Sequence, residues 1–285
     1  MAHLFTQWGA QFTPKIVVSE NGKETKLFGW HIKATDELYK SFLSQFLPAL
    51  TEYITSRGLK NVTFFHISDE PTKEHLESYK QAKSLVKPYL KDFKIIDALS
   101  DFEFYKDGTI EHPIPATDHI EPFIGNVSEL YCYYCCPQGI GVSNRFIAMP
   151  SYRNRSIGTQ FFKFNVKLFL HWGFNFYNSQ LSIRKINPFA ITDAEMAFPS
   201  GDSFSVYPYS NGPVPSIGLE VFRDALQDLR AFKLLESLAG YDKTLEIIER
   251  VIGAVKFDRC ADNPKILILL RETVNKEIMK LNSVK

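Results

Sequence analysis

The stretch KNVTFFHISDEP, residues 60–71, constrains the fold more than any other part of the chain. Its run from Val62 to Ile67 is β-branched and aromatic and reads as a buried strand, ended by two acids and a proline that cannot continue a ladder. Before it, TDELYKSFLSQFLPALTEYITSRG carries Leu38, Phe42, Phe46, Leu50 and Ile54 at helical spacing, with Thr35 or Asp36 as N-cap and Gly58 as terminator. After it, TKEHLESYKQAKSLVKPYL reads as a second helix stopped near Pro88, and FKIIDALSD as a second strand ending in acids. Helix and strand alternate, which predicts an α/β fold with parallel strands.

The alternation continues with SELYCYYCCPQ as a strand, SIGTQFFKFNVKLFLHWG as a helix, and GFNFYNSQL and DSFSVYPYS as further strands. SIGLEVFRDALQDLRAFKLLESLAG predicts an amphipathic helix with Leu219, Phe222, Leu226, Leu229 and Leu234 on one face. Two more helices, about 242–254 and 264–282, close the chain. No repeat or low-complexity linker interrupts it, so residues 1–285 read as one domain. Strands each followed by a helix, with polar residues gathered at their C-terminal ends, predict a (β/α)8 barrel of the TIM type. About six strand candidates are visible, counting KIVVSENGKETKLFGW with Asn21-Gly22 as a hairpin turn. The expectation is therefore a barrel with two irregular strands, or one lacking its first two strands in this chain and completed by a second copy.

Composition narrows the function. Lys+Arg 33 against Asp+Glu 32 gives a formal charge of +1, so no broad positive field exists to gather nucleic acid or an anionic membrane. No apolar run is long enough to span a bilayer, and the start, MAHLFTQWGAQFTP, lacks a basic region followed by an apolar stretch; a complete chain of this kind is expected in the cytoplasm. Cys132 and Cys135 form C-x-x-C, but no second such pair or close His pair completes a metal or redox site. No metal and no organic cofactor is expected.

Asp69 and Glu70 are the candidate working carboxylates. Neighbours at the frayed end of a strand point to different sides and can address two parts of one ligand. They cannot easily face each other across an anomeric carbon, as the about 5–5.5 Å carboxylate separation of an ordinary retaining glycosidase requires. Adjacency suits substrate-assisted hydrolysis, in which a 2-acetamido carbonyl attacks the anomeric carbon. One carboxylate then orients that amide while the other protonates the leaving oxygen. The shorter Asp69 would steer the amide and Glu70 would move protons. Taken alone, the dipeptide is equally compatible with a solvated helix start.

HISDEP, YCYYCCP, LFLHWGFNFY and PSGDSFSVYPYSNGPVPSIGLEVFRDALQDLRAFKLLE together resemble the bacterial β-N-acetylgalactosaminidases of glycoside hydrolase family 123, from roughly Lys15 to Leu238. The resemblance implies a substrate-assisted enzyme on a (β/α)8 barrel, commonly preceded by a β-sandwich that this chain lacks. It implies that Asp69 and Glu70 are the catalytic pair and that Tyr133 hydrogen-bonds the acetamido carbonyl. Tyr131, Trp172 and Asn175 would line the sugar pocket, with Asp202 and Tyr207 in the family's Gly-Asp…Tyr-Pro block. His66 could bond a sugar hydroxyl or the Asp, or be a satisfied core histidine. Gly218 stands where members often carry arginine. The expected substrate is a carbohydrate or glycoconjugate with terminal β-linked GalNAc; β-GlcNAc, or carbohydrate binding without turnover, are the alternatives.

Overall fold

The computed structural model describes residues 5–283, which divide into two compact units meeting at Asn126 and Val127. The N-terminal unit opens with an antiparallel ribbon, β1 (Ile16–Glu20) and β2 (Lys23–Phe28). Asn21 and Gly22 turn it with positive φ of 53° and 77°, the arrangement Asn-Gly favours between hairpin strands. Most of the ribbon is exposed.

Helix α1 (Glu37–Ser56) follows, its N-cap Asp36 accepting from the Leu38 amide at 2.9 Å. It buries Tyr39, Leu43, Leu47 and Ile54, one residue round from most of the predicted stripe; Leu38 is 60% exposed, while Phe42, Phe46 and Leu50 are partly buried against the core. The rotation has a polar cause: the Tyr39 hydroxyl donates to the Phe5 carbonyl at 2.7 Å, satisfying a phenol that can then be buried. β3 (Phe64–Phe65), α2 (Leu76–Leu90), β4 (Lys94–Ala98), α3 (Glu103–Lys106) and β5 (His112–Ile114) complete the unit. β3, β4 and β5 form a parallel sheet with β4 in the centre. Pro88 lies inside α2 rather than ending it.

In the C-terminal unit β6 (Tyr131–Tyr133) pairs in parallel with β7 (Leu168–Leu170). Between them run α4 (Tyr152–Arg155) and α5 (Ile157–Lys163). The segment expected as one helix through Gly173 is thus a helix and then a strand. Asn165 breaks it with φ 52°, the left-handed conformation that commonly ends helices, and the chain then enters β7 at Leu168. β8 (Val206–Tyr207) and β9 (Val214–Pro215) form an antiparallel pair. Helices α6 (Ile217–Ala239), α7 (Tyr241–Ile252) and α8 (Pro264–Asn282) pack around Phe162, Phe232, Leu235, Ile248 and Leu270.

The buried face of α6 is Ala225, Asp228, Ala231, Phe232 and Leu235, not the predicted leucine stripe. Small residues win because α5 comes close: a Cβ on Gly158 would lie 2.4 Å from the Ala225 carbonyl oxygen. Asp228 is admitted because Arg155 grips it through Nε and Nη2, at 2.6 and 3.0 Å, and Arg271 at 2.7 Å.

Among the described residues there is no eight-stranded parallel barrel, which corrects the (β/α)8 expectation. The chain is a mixed α/β fold of separate two- and three-stranded sheets. Segments counted toward a barrel are spent elsewhere. The Asn-Gly hairpin is an exposed ribbon, GFNFYNSQL makes isolated bridges such as Asn175 to Phe204, and DSFSVYPYS pairs antiparallel with β9.

Candidate functional site

The predicted residues divide between the units. In the N-terminal unit His66, Asp69 and Glu70 lie on the segment leaving β3. Asp69 is half-buried and Glu70 exposed. Glu70 has φ 39°, a left-handed conformation that side chains larger than glycine adopt reluctantly and that clusters at functional sites.

The ground beneath the pair is polar and closed. Ile67 and Ser68, both buried, donate their amides to Asp97 Oδ1 at 2.8 and 3.2 Å. Tyr79 from α2 donates to Asp97 Oδ2 at 2.5 Å. Burial first, and then the charge of Asp97 and the hydrogen bond to it, push the Tyr79 phenol far above its ordinary range. His66 Nδ1 stands 3.6 Å from Asp97 Oδ1, beyond a hydrogen bond. The sequence reading noted acids ending FKIIDALSD but gave Asp97 no role. The signal was an acid inside an apolar parallel strand, a place a carboxyl occupies only with partners.

In the C-terminal unit Tyr131 and Tyr133 share one face of β6 by their two-residue spacing, and both are buried. The Tyr131 hydroxyl donates to Glu129 at 2.7 Å. Cys132, on the opposite face, has its thiol pushed far up by burial; all four cysteines are free thiols. Trp172, just past β7, is half-buried with its ring against Phe198 and Phe176, at 4.6 and 5.3 Å between centroids. Asn175 is exposed, and Tyr207 stacks on Phe189 at 5.0 Å.

Asp202 is wholly buried and anchors the neighbourhood of Trp172. Its Oδ2 accepts from Trp172 Nε1 at 2.8 Å and from the Cys136 thiol at 3.1 Å, and its Oδ1 from His171 Nε2 at 3.2 Å. Burial raises the Asp202 pKa, but the hydrogen bonds from His171, Cys136 and Trp172 prevail and hold it below the ordinary value. His171 Nδ1 accepts from Arg145 at 2.6 Å and from the Gly173 amide at 3.0 Å, which makes it the neutral Nε2–H tautomer. Burial lowers its pKa and, with the nearby Arg145 charge, outweighs the hydrogen bond and charge of Asp202. Arg145 also donates to the carbonyls of Gly173 and Asp202 and to the Ser205 hydroxyl. Gly173 is required here, because a Cβ would lie 2.7 Å from backbone atoms of residues 202 and 203. Arg145 escaped the sequence reading, since a lone arginine in a loop carries no local signal.

A cleft of about 560 Å³ opens in this unit beside Arg145, with Ile147, Tyr207, Ile217 and Gly218 on its walls. A Cβ on Gly218 would lie 3.3 Å from Arg145 Cβ, so the departure from the family pattern at this position fits the course of Arg145. No group of three or more His, Cys, Asp and Glu among the described residues is arranged to hold a metal ion. No described helix is long and apolar enough to cross a membrane.

The family model described as glycoside hydrolase 123, catalytic domain, matches residues 1–235, and the chain belongs to that family of glycosidases. Comparison with curated proteins gave no match. Among solved structures, the chain is similar to a family 123 glycoside hydrolase from Clostridium perfringens, described in connection with glycolipid glycan hydrolysis. The TM-score is 0.62 at 16% identity, covering 94% of this chain and 50% of that one. This likeness is one of fold, and the chain spans half the length of that enzyme.

Proposed function

We propose that this chain hydrolyses terminal β-linked N-acetylgalactosamine with retention, by substrate-assisted catalysis through the 2-acetamido group. The observation that carries the reading is the adjacent pair Asp69 and Glu70 on the segment leaving a parallel strand, in a chain of this glycosidase family. Asp69, half-buried on the shorter arm, holds the acetamido N–H and stabilises the positive charge of the cyclised intermediate. Glu70, exposed and set at φ 39°, protonates the leaving oxygen and then takes a proton from water. The half-buried His66 ring adjoins this segment and is assigned to holding it. Within the C-terminal unit, Tyr133, Tyr131, Trp172, Asn175 and Tyr207 are proposed as carbohydrate-contacting residues of that unit, and Asp202, wholly buried, acts by fixing Trp172.

Release of a chromophore from an aryl β-GalNAc glycoside tests the reading. Glu70→Gln removes the proton donor and lowers kcat/KM by about 10²–10⁴-fold, the usual contribution of a general acid. Activity on no 2-acetamido glycoside would refute the reading. The same assay on the C4 epimer separates GalNAc from GlcNAc specificity.

A further inference from the structure

We propose that Asp97 is a positioning residue for the Asp69–Glu70 pair, doing with one side chain what the sheet ladder does elsewhere. The inference rests on the function proposed above.

The parallel ladder between β3 and β4 ends at Phe65 opposite Ile95. Beyond it the chain must leave the sheet and still hold two acids at a fixed reach. Leaving would orphan the amides of Ile67 and Ser68, which are 1% and 2% exposed and have no water to turn to. Asp97, two residues past Ile95 on the neighbouring strand, supplies the missing acceptor: its Oδ1 takes both amides, at 2.8 and 3.2 Å. The other side of the segment is tied as well. Thr6 donates its hydroxyl to the Ile67 carbonyl, and the Ser68 hydroxyl donates to the Gln7 carbonyl at 3.1 Å.

The carboxyl group itself cannot drift. Its Oδ2 is held by the Tyr79 hydroxyl at 2.5 Å, and the Tyr79 ring meets Phe104 edge-on at 5.9 Å. Asp97 is 0% exposed, so it touches no substrate, and its influence passes through the backbone. That influence is close to the chemistry, because the last clamped amide belongs to the residue immediately before Asp69. From there only the torsions of residues 68 to 70 set the pair, and one of them is the unusual φ at Glu70. A displacement of about 1 Å at reacting groups can cost on the order of 10²-fold in rate.

Substitutions separate positioning from packing. Asp97→Asn keeps Oδ1 for the two amides and turns its NH₂ toward Tyr79, whose hydroxyl can rotate to accept. Asp97→Ala removes the clamp. With an aryl β-GalNAc glycoside, Asp97→Ala is expected to lower kcat about 10–100-fold with KM within about 3-fold, and Asp97→Asn to restore most of kcat. Ile67 and Ser68 amide hydrogens should exchange faster in Asp97→Ala and stay protected in Asp97→Asn. A folded Asp97→Ala protein with wild-type kcat, or a loss carried by KM, overturns the inference. Should Asp97→Ala not fold, Tyr79→Phe decides: it releases Oδ2, and kcat should fall about 3–10-fold at unchanged KM, whereas wild-type kcat overturns the inference. If the wild-type chain hydrolyses no 2-acetamido glycoside, the functional reading fails, and the two amides still report on the clamp.

Discussion

Replacing Asp202 by Asn changes one atom and leaves the C-terminal unit with a hydrogen-bond problem it cannot solve. Three donors converge on the Asp202 carboxylate: Trp172 Nε1–H, the Cys136 thiol and His171 Nε2–H. An amide offers one acceptor oxygen and one NH₂. With the NH₂ toward Trp172 and Cys136, donor meets donor. Turned toward His171 it needs the other tautomer, whose Nδ1–H would then oppose Arg145 and the Gly173 amide. The half-buried Arg145 also loses a nearby negative charge. Leaving a buried donor without its acceptor costs about 1–3 kcal/mol, and two donors are left so, about 2–6 kcal/mol together. For a unit of this size about 1 kcal/mol moves Tm by about 2–4 °C, so Asp202→Asn should lower Tm by about 4–24 °C. Thermal unfolding followed by circular dichroism, with tryptophan fluorescence reporting on Trp172, measures it. A shift below about 2 °C would mean that the carboxylate charge does not hold this cluster together.

The His171 assignment predicts a pH dependence. Its folded pKa lies below the unfolded value of about 6.5, so the unfolded chain binds the extra proton. The stabilisation is complete above about pH 6.5 and is lost as the pH falls below it, with a slope of at most about 1.4 kcal/mol per pH unit. Urea midpoints should therefore fall more steeply on acidification in the wild type than in His171→Gln, and identical slopes would rule this out. Gly158→Ala tests the close approach of α5 and α6. Helix propensity favours alanine by about 1 kcal/mol, yet the new Cβ would meet the Ala225 carbonyl oxygen at 2.4 Å, an overpacking that costs about 1–3 kcal/mol. A lower urea midpoint with an unchanged m-value is expected, and a higher midpoint would mean that the helices can part.

What the sequence discloses is local. The Asn-Gly turn, the Asp36 cap and the two closing helices depend on short-range torsions and were visible in the residues themselves. Sheet membership was not, because KIVVSE and FKIIDA look alike as strings, while one becomes an exposed ribbon and the other the centre of a parallel sheet. The LFL strand hid behind a helical pattern until Asn165 turned the chain. The stripe on α6 failed for a related reason: the face it buries mixes Phe232 and Leu235 with the small Ala225 and Ala231 and the paired Asp228, so hydrophobicity alone pointed to a different face. At the candidate site the acids and aromatics were legible as types. Asp97, His171 and Arg145 matter through partners that lie as far as 18 to 60 residues away, and a one-dimensional reading contains no such distances.

The left-handed φ at Glu70 sets local comfort against chemistry. At this backbone angle glycine is the residue the chain would choose, and a longer side chain carries strain on the order of 1–3 kcal/mol. A library randomised at position 70 and sorted only for thermal endurance should therefore drift toward glycine. One sorted for release of the sugar should hold glutamate. The divergence between the two sorted pools would measure what the position is for.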